Sequence, residues 1–327
     1  MNGLTDIPGI LVGHASDDEG LTGCTVIRCD AGAVAGYDLR GSASGTEELA
    51  VMAPDHLAER IHAVVLAGGS AFGLEAAAGV RRFLERIGVG LPTPAARVPL
   101  VVGAILYDLA IGRGDVRPTR EMGEEAAAAA SSGPVEEGSV GAGAGATVGK
   151  LFGMARAMKS GIGSATVALA GEFEGVLVSA LVAVNALGDV RDPDTGRLVA
   201  GARVNPDSLE LAGSAAALLR HPPAARLGEN TTLGVVATNA ALTRVEAAKL
   251  AQLASIGVAR TITPVWTTMD GDITIALSTG NAQAAVDSLG VAAQEAMARA
   301  ILRAAVGARS RGGLPGLGGG GSADAAC

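Results

Sequence analysis

The chain has 327 residues, enough for one large or two ordinary domains. Its hydrophobic fraction of 49% supplies a core, but aromatics at only 2% mean that Ala, Val, Leu and Ile must build it, and 48 glycines predict frequent close backbone approaches. A formal net charge of −8, with no arginine-lysine cluster, argues against binding of a nucleic-acid backbone as the main task. Cys24, Cys29 and Cys327 form neither a disulfide framework nor a metal spacing, and His14, His56, His62 and His221 lie too scattered for a zinc motif. No basic region followed by an apolar stretch opens the chain and no apolar run reaches ~18 residues, so the expectation is a cytoplasmic protein that needs no metal or cofactor.

In chain order, residues 62–67 read as a buried strand ending at Gly68-Gly69. Val80, Phe83, Leu84 and Ile87 then fall on one face of a helix that Gly88 stops. A second helix is expected over 120–130, and the Gly-Ala tract at 138–149 as an ordered glycine-rich loop. Strands follow at 165–170 and 175–184, then a hairpin turn at 192–196. Asn205-Pro206 has the chemistry to cap a helix running to about 220, with an exposed linker over 221–230. Residues 232–238 are rich in β-branched side chains and read as a strand. Thr243 to Glu246 is a capping box opening a helix that Gly257 closes. Asp270-Gly271 between 261–268 and 273–277 is a hairpin signal. A last helix covers about 291–306, and the glycine-rich tail at 307–327 is expected to be disordered. No internal repeat is present. Strands and helices without strict alternation predict a layered α/β sandwich.

The chemistry centres on the end of the linker, where Asn230 precedes Thr231-Thr232-Leu233-Gly234-Val235-Val236. A small hydroxyl residue directly after Asn at the head of a strand suits a peptide bond that breaks itself. Cleavage there would free an α-amine on Thr231 beside its own hydroxyl, placing nucleophile and base on one residue.

Several segments, in order, resemble the DmpA-type self-processing aminopeptidases and amidases, a family that includes the nylon-oligomer (6-aminohexanoate-oligomer) hydrolases. They are residues 4–14, Gly20-Leu21-Thr22-Gly23-Cys24-Thr25-Val26, Gly68-Gly69-Ser70-Ala71-Phe72-Gly73-Leu74, Gly145-Ala146-Thr147-Val148-Gly149-Lys150, Lys159-Ser160-Gly161-Ile162-Gly163-Ser164, Val184-Asn185-Ala186-Leu187-Gly188-Asp189, the Asn230-Thr231 junction and Asp270-Gly271-Asp272. The resemblance spans residues 4–306. It implies a helix-sheet-sheet-helix sandwich of N-terminal-nucleophile type, a single catalytic domain over 1–306 self-cleaved into chains 1–230 and 231–327, and a homotetramer of the processed pairs. The substrates it implies are short peptides, amino-acid amides or esters, or ω-amino-acid oligomers.

Carried over residue by residue, the resemblance makes Thr231 the nucleophile and Asn230 the residue whose carbonyl is attacked during maturation. Asp270 and Asp272 would orient and tune the Thr231 amine. The acidic pair points to the nylon-hydrolase side of the family, since other members carry Ser and Glu there. Lys159 matches a lysine near the nucleophile, with Lys150 as its rival. Asn185 would donate its amide to the oxyanion, and Tyr107 falls where family members line the pocket.

Other motifs fall short. The stretch ending Gly149-Lys150 fails as a phosphate loop because Ala144 and Leu151 replace the required Gly and Ser or Thr, and Phe72 spoils a nucleophile elbow around Ser70. Ser70 reads instead as a helix N-cap, and Cys24 as a buried residue rather than a thiol nucleophile. Two alternatives stay open: an acyltransferase of the ornithine acetyltransferase type, and an unprocessed protein whose glycine-rich loops hold an anionic ligand.

Overall fold

The computed structural model of the chain describes residue 1 and residues 3–220 and 229–319. Nine strands form its main sheet system: β1 (Leu11–Asp17), β2 (Thr22–Leu39), β3 (Gly45–Glu47), β4 (Ile61–Ala67), β5 (Val101–Ile105), β6 (Ile162–Ala168), β7 (Leu177–Asn185), β8 (Thr231–Ala240) and β9 (Ile273–Ala282). The long helices are α1 (Glu75–Arg86), α2 (Arg120–Ala129), α3 (Arg244–Thr261) and α4 (Val286–Val306). No described helix is long and apolar enough to cross a membrane.

Strand β2 belongs to two layers. Its first half pairs with β1 and β4, and after a register shift between Arg28 and Ala33 its second half pairs with β9. The strand order is therefore β6-β7-β8-β9-β2-β4-β5-β3 with β1 added on β2. Period-2 alternation sorts the side chains. Leu181, Leu233, Val235, Ile273 and Ile275 meet Ile27, Val64, Leu66 and Val102 in a core between the layers. The opposite faces, with Val182, Val236 and Ala276 on one layer and Val26, Val65 and Val101 on the other, pack on α3-α4 and on α1-α2. The result is the expected helix-sheet-sheet-helix sandwich. Its scarcity of aromatics fits helices lined with alanine, such as Ala293, Ala296 and Ala300 of α4.

Several local expectations change. Gly257 does not close α3, which runs on to Thr261. A Cβ there would stand 2.4 Å from the Gln294 carbonyl oxygen, so this glycine lets α3 and α4 approach closely. Asp270-Gly271 is not a hairpin tip, because β9 lies between β8, parallel to it, and β2, antiparallel. The helix expected from Asn205 is reduced to Ser214–Leu218. Asn205 instead accepts from the Asp207 amide, and the helix starts only where buried Asp189 accepts from Ser214 N and Oγ at 2.5 and 2.6 Å. Ser70 makes no capping hydrogen bond; the residue before the turn is Gly69 at φ 77°. Residues 307–319, expected as part of a disordered tail, fold back on the body. Leu314 packs with Leu21, Ile111 and Ala157, and the Pro315 carbonyl accepts from Lys159 N at 2.8 Å. Residues 221–228 of the linker and 320–327 of the tail lie outside the described residues.

Candidate active site

Three chain segments meet at one end of the central layer. Asn185, the last residue of β7, stands opposite Thr231, the first of β8, in antiparallel register. Asn230 makes a parallel bridge to Asp270, just before β9 begins at Ile273. Thr147 and Lys150 from the glycine-rich loop, and Tyr107 from beyond β5, close over this point. Sheet pairing, which is non-local, therefore brings together Asn185, Asn230, Thr231, Asp270 and Asp272.

At the junction the Thr231 hydroxyl donates to the Asn230 carbonyl oxygen at 2.5 Å. The Gly271 amide donates to the same oxygen at 2.8 Å. Asn230 is fully buried and Thr231 is 2% exposed. Gly271 has to be glycine for this contact: a Cβ would lie 2.9 Å from Thr231 Oγ1 and 2.7 Å from the Ala43 carbonyl oxygen. A hydroxyl and an amide N–H thus converge on the carbonyl of one buried peptide bond, a geometry suited to acyl transfer from Asn230 to Thr231.

Lys150 Nζ donates to Asn185 O and Oδ1, both at 2.8 Å, and to Glu229 O at 3.0 Å. Thr147 N also donates to Asn185 Oδ1, at 3.0 Å. With Oδ1 so occupied, Asn185 Nδ2 is turned to donate to Tyr107 O at 2.9 Å and Glu229 O at 3.3 Å. Two donors, a lysine and a side-chain amide, therefore converge on the carbonyl oxygen of Glu229. Burial pushes the Lys150 ammonium down to about 7, against the opposing pull of Asp270, Glu229 and Asp272. Thr147, Lys150 and Glu229 line a narrow cleft of about 10 Å³ together with Tyr107, Asp108, Ile111 and Met154.

The two carboxylates differ. Asp270 accepts from Thr267 N at 2.8 Å and Thr267 Oγ1 at 2.6 Å, which turns the chain just before the junction's partner strand. Asp272 accepts from the Thr232 amide at 2.5 Å, one residue beyond the nucleophile candidate. Burial, then the nearby charge of Asp270, raises Asp272 to about 8.

Geometry separates the two lysines. Lys159 is fully buried, but its Nζ donates to Ala144 O and Ala146 O at 2.9 and 2.7 Å, while the lysine that reaches Asn185 and Glu229 is Lys150. Tyr107 lies at the pocket wall, and the contact it makes to Asn185 is through its backbone carbonyl. Cys24 is buried with its thiol pushed up to about 12, so it is a packing residue. Sequence reasoning missed Gly271, Thr147 and Glu229 as members of the site. Gly271, inside the Asp270-Asp272 motif, and Thr147, inside the Gly145–Lys150 motif, carried a local signal; Glu229 carried none.

A family model described as peptidase family S58 matches residues 2–317. An uncharacterized aminopeptidase of Mycobacterium leprae is 38% identical, covering 96% of this chain and 93% of its own length. The 6-aminohexanoate-oligomer endohydrolase of a Kocuria species is 33% identical, covering 92% and 85%. Among solved structures, the L-aminopeptidase D-Ala-esterase/amidase of Ochrobactrum anthropi, described as a prototype for the serine aminopeptidases and a new variant among the Ntn-hydrolase fold, superposes with a TM-score of 0.73 at 21% identity, covering 96% and 88%. The fold is of that N-terminal-nucleophile type.

Proposed function

We propose, from the premise that the chain belongs to peptidase family S58 and is an amide hydrolase, that it matures by breaking its own Asn230–Thr231 bond and then works through the N-terminal threonine. The observation that carries this reading is the convergence of the Thr231 hydroxyl and the Gly271 N–H on the Asn230 carbonyl oxygen. In maturation the Thr231 oxygen attacks the Asn230 carbonyl carbon, and the Gly271 amide steadies the oxyanion. The C–N bond breaks, the hydroxyl proton passes to the departing nitrogen, and an ester links Asn230 to Thr231. Water hydrolyses that ester, leaving a carboxylate on Asn230 and a free amine on Thr231. Lys150, with its ammonium pushed down to about 7 by burial, is a group at the junction that can exchange protons there.

In the mature enzyme Thr231 attacks a substrate amide or ester with its own amine as base. Departure of the Glu229 carbonyl frees Lys150 Nζ and Asn185 Nδ2, which become the donors for the substrate oxyanion. Asp272, bonded beside Thr231, tunes the new amine, and Asp270 holds the turn that presents Gly271. Tyr107 borders the acyl pocket. The acyl-enzyme is then hydrolysed by water.

The relatives support peptides and 6-aminohexanoate oligomers as substrates, and the family resemblance adds amino-acid amides and esters. The family resemblance implies a homotetramer of processed pairs, and the proposed location is the cytoplasm. The test is hydrolysis of amino-acid p-nitroanilides and 6-aminohexanoate oligomers, with Thr231→Ala in parallel. Release of free acid by the wild type and none by the variant is expected. Acyl transfer to an amine in preference to water would favour the acyltransferase, and turnover by the variant would remove Thr231 from the chemistry.

A further inference from the structure

Four of the motif segments, three of which take no part in the bond-breaking steps, meet around one side chain, Asp108. Thr22 Oγ1 donates to its Oδ2 at 2.7 Å and Gly69 N to its Oδ1 at 2.6 Å. A Cβ on Gly68 would stand 2.0 Å from Oδ2, and one on Gly145 2.6 Å from the Asp108 Cβ, so both glycines admit this carboxylate. The fourth segment brings Lys159, paired with Thr147 across a short antiparallel ladder. Its ammonium donates to Ala144 O and Ala146 O, the carbonyls on either side of Gly145. Asp108 is 4% exposed and Lys159 is fully buried.

We infer that Asp108 and Lys159 are opposed buried charges, one on each side of the 144–147 loop, which act as positioning residues for the Asn185 amide. Both ends of that amide depend on them. Lys159 fixes the loop whose next amide, Thr147 N, holds Asn185 Oδ1, and Asp108 anchors the backbone whose neighbouring carbonyl, Tyr107 O, accepts from Asn185 Nδ2. The inference rests on the reading of Asn185 as an oxyanion donor. Each charge also sustains the other. Burial pushes Lys159 down to about 7 while Asp108 pulls it up and Arg311 adds to the lowering. Burial raises Asp108 while its hydrogen bonds and Lys159 hold it down. Neither side chain touches the reacting atoms, so neither exchanges a proton with substrate.

The test compares wild type, Lys159→Met, Asp108→Asn, the double variant and Lys159→Arg on one amino-acid p-nitroanilide, with melting temperatures for all five. Lys159→Met is expected to lose roughly 10- to 100-fold in kcat with KM within about threefold, because the amide is displaced but the pocket is kept. Its pH–rate limbs should stay where the wild type has them, and Lys159→Arg should recover part of kcat. The double variant should melt higher than the single losses sum to, since it leaves no unpaired buried charge. Wild-type kcat in a folded Lys159→Met, or loss of a pH limb in it, overturns the inference. If the wild type itself turns over no amide, the functional reading fails instead. The melting cycle still decides on the two charges, and additive losses would reject them.

Discussion

Lys150 Nζ grips Asn185 at two points, its backbone oxygen and its side-chain oxygen, each at 2.8 Å. This leaves the Asn185 amide one orientation, with Nδ2 toward the Glu229 carbonyl that Lys150 also contacts. An asparagine side chain at the end of a strand has rotational freedom, and here a buried lysine and the Thr147 amide remove it. In the proposed maturation only the two bonds to the Glu229 carbonyl would be lost, freeing both donors while the bonds that orient Asn185 stay.

In the proposed mechanism Asn185→Ala removes one oxyanion donor and the anchor of the other. It is expected to lower kcat by ~10²–10³-fold on an amide substrate, in the range found when a single such donor is deleted. Lys150→Met should lower kcat comparably. Steady-state kinetics on the folded variants checks both, and a loss confined to KM would move these residues out of the chemistry.

Gly271→Ala places a Cβ against Thr231 Oγ1 and the Ala43 carbonyl. One of those neighbours must shift, and the hydroxyl is the movable one. Self-cleavage should slow by at least about tenfold while the folded circular dichroism spectrum persists. Time-resolved gel analysis of freshly expressed protein reads this, and unimpaired cleavage would show that the contact at the Asn230 carbonyl is unimportant.

Opposite pH trends should separate Lys150 from Asp272, measured in the uncleavable Thr231→Ala background. Burial lowers Lys150 from its ordinary 10.5 to about 7 in the folded chain, so the unfolded state binds more protons between those values and stability rises with pH across them. The cost of burying its charge is complete below 7, so Lys150→Met should gain most in melting temperature at acid pH. Asp272 titrates near 8 folded against 3.8, so the folded state holds the extra proton and stability falls as pH rises from 3.8 to 8. Asp272→Asn should gain most above pH 8. Parallel trends for the two variants would contradict the assignment.

Thr231→Ser keeps a hydroxyl and should still cleave itself, whereas Thr231→Val, with similar shape and no oxygen, should remain a single chain. Denaturing gels distinguish them directly. Cleavage of the valine variant would place the nucleophile elsewhere.

Where local chemistry decides, the sequence was readable. Residues 232–238, rich in β-branched side chains, lie inside the strand Thr231–Ala240 as expected, and the Thr243-Glu246 capping box forms with both of its hydrogen bonds. Readings failed where partners come from far along the chain. Asp-Gly signals a turn by itself, but whether the next strand folds back is decided by β8 and β2, which already flank β9. Lys150 and Lys159 both lie in short glycine-containing motifs, and only the position of the β7 end selects the one that meets Asn185. Asn205-Pro206 carries a helix-start pattern, overridden by the remote carboxylate of Asp189. Asn185, Asp270 and Asp272 were legible only through their motif resemblance, since nothing in their own neighbourhoods shows that sheet pairing will gather them beside Thr231.

The most direct test is intact mass spectrometry of freshly purified wild type and Thr231→Ala, with N-terminal sequencing of the smaller species. The account predicts wild-type chains of about 23 and about 9 kDa, dividing 32.1 kDa by residue count, with threonine at the new terminus. The variant should stay whole. A single wild-type chain that persists on incubation, or a cut at any bond other than Asn230–Thr231, would contradict it.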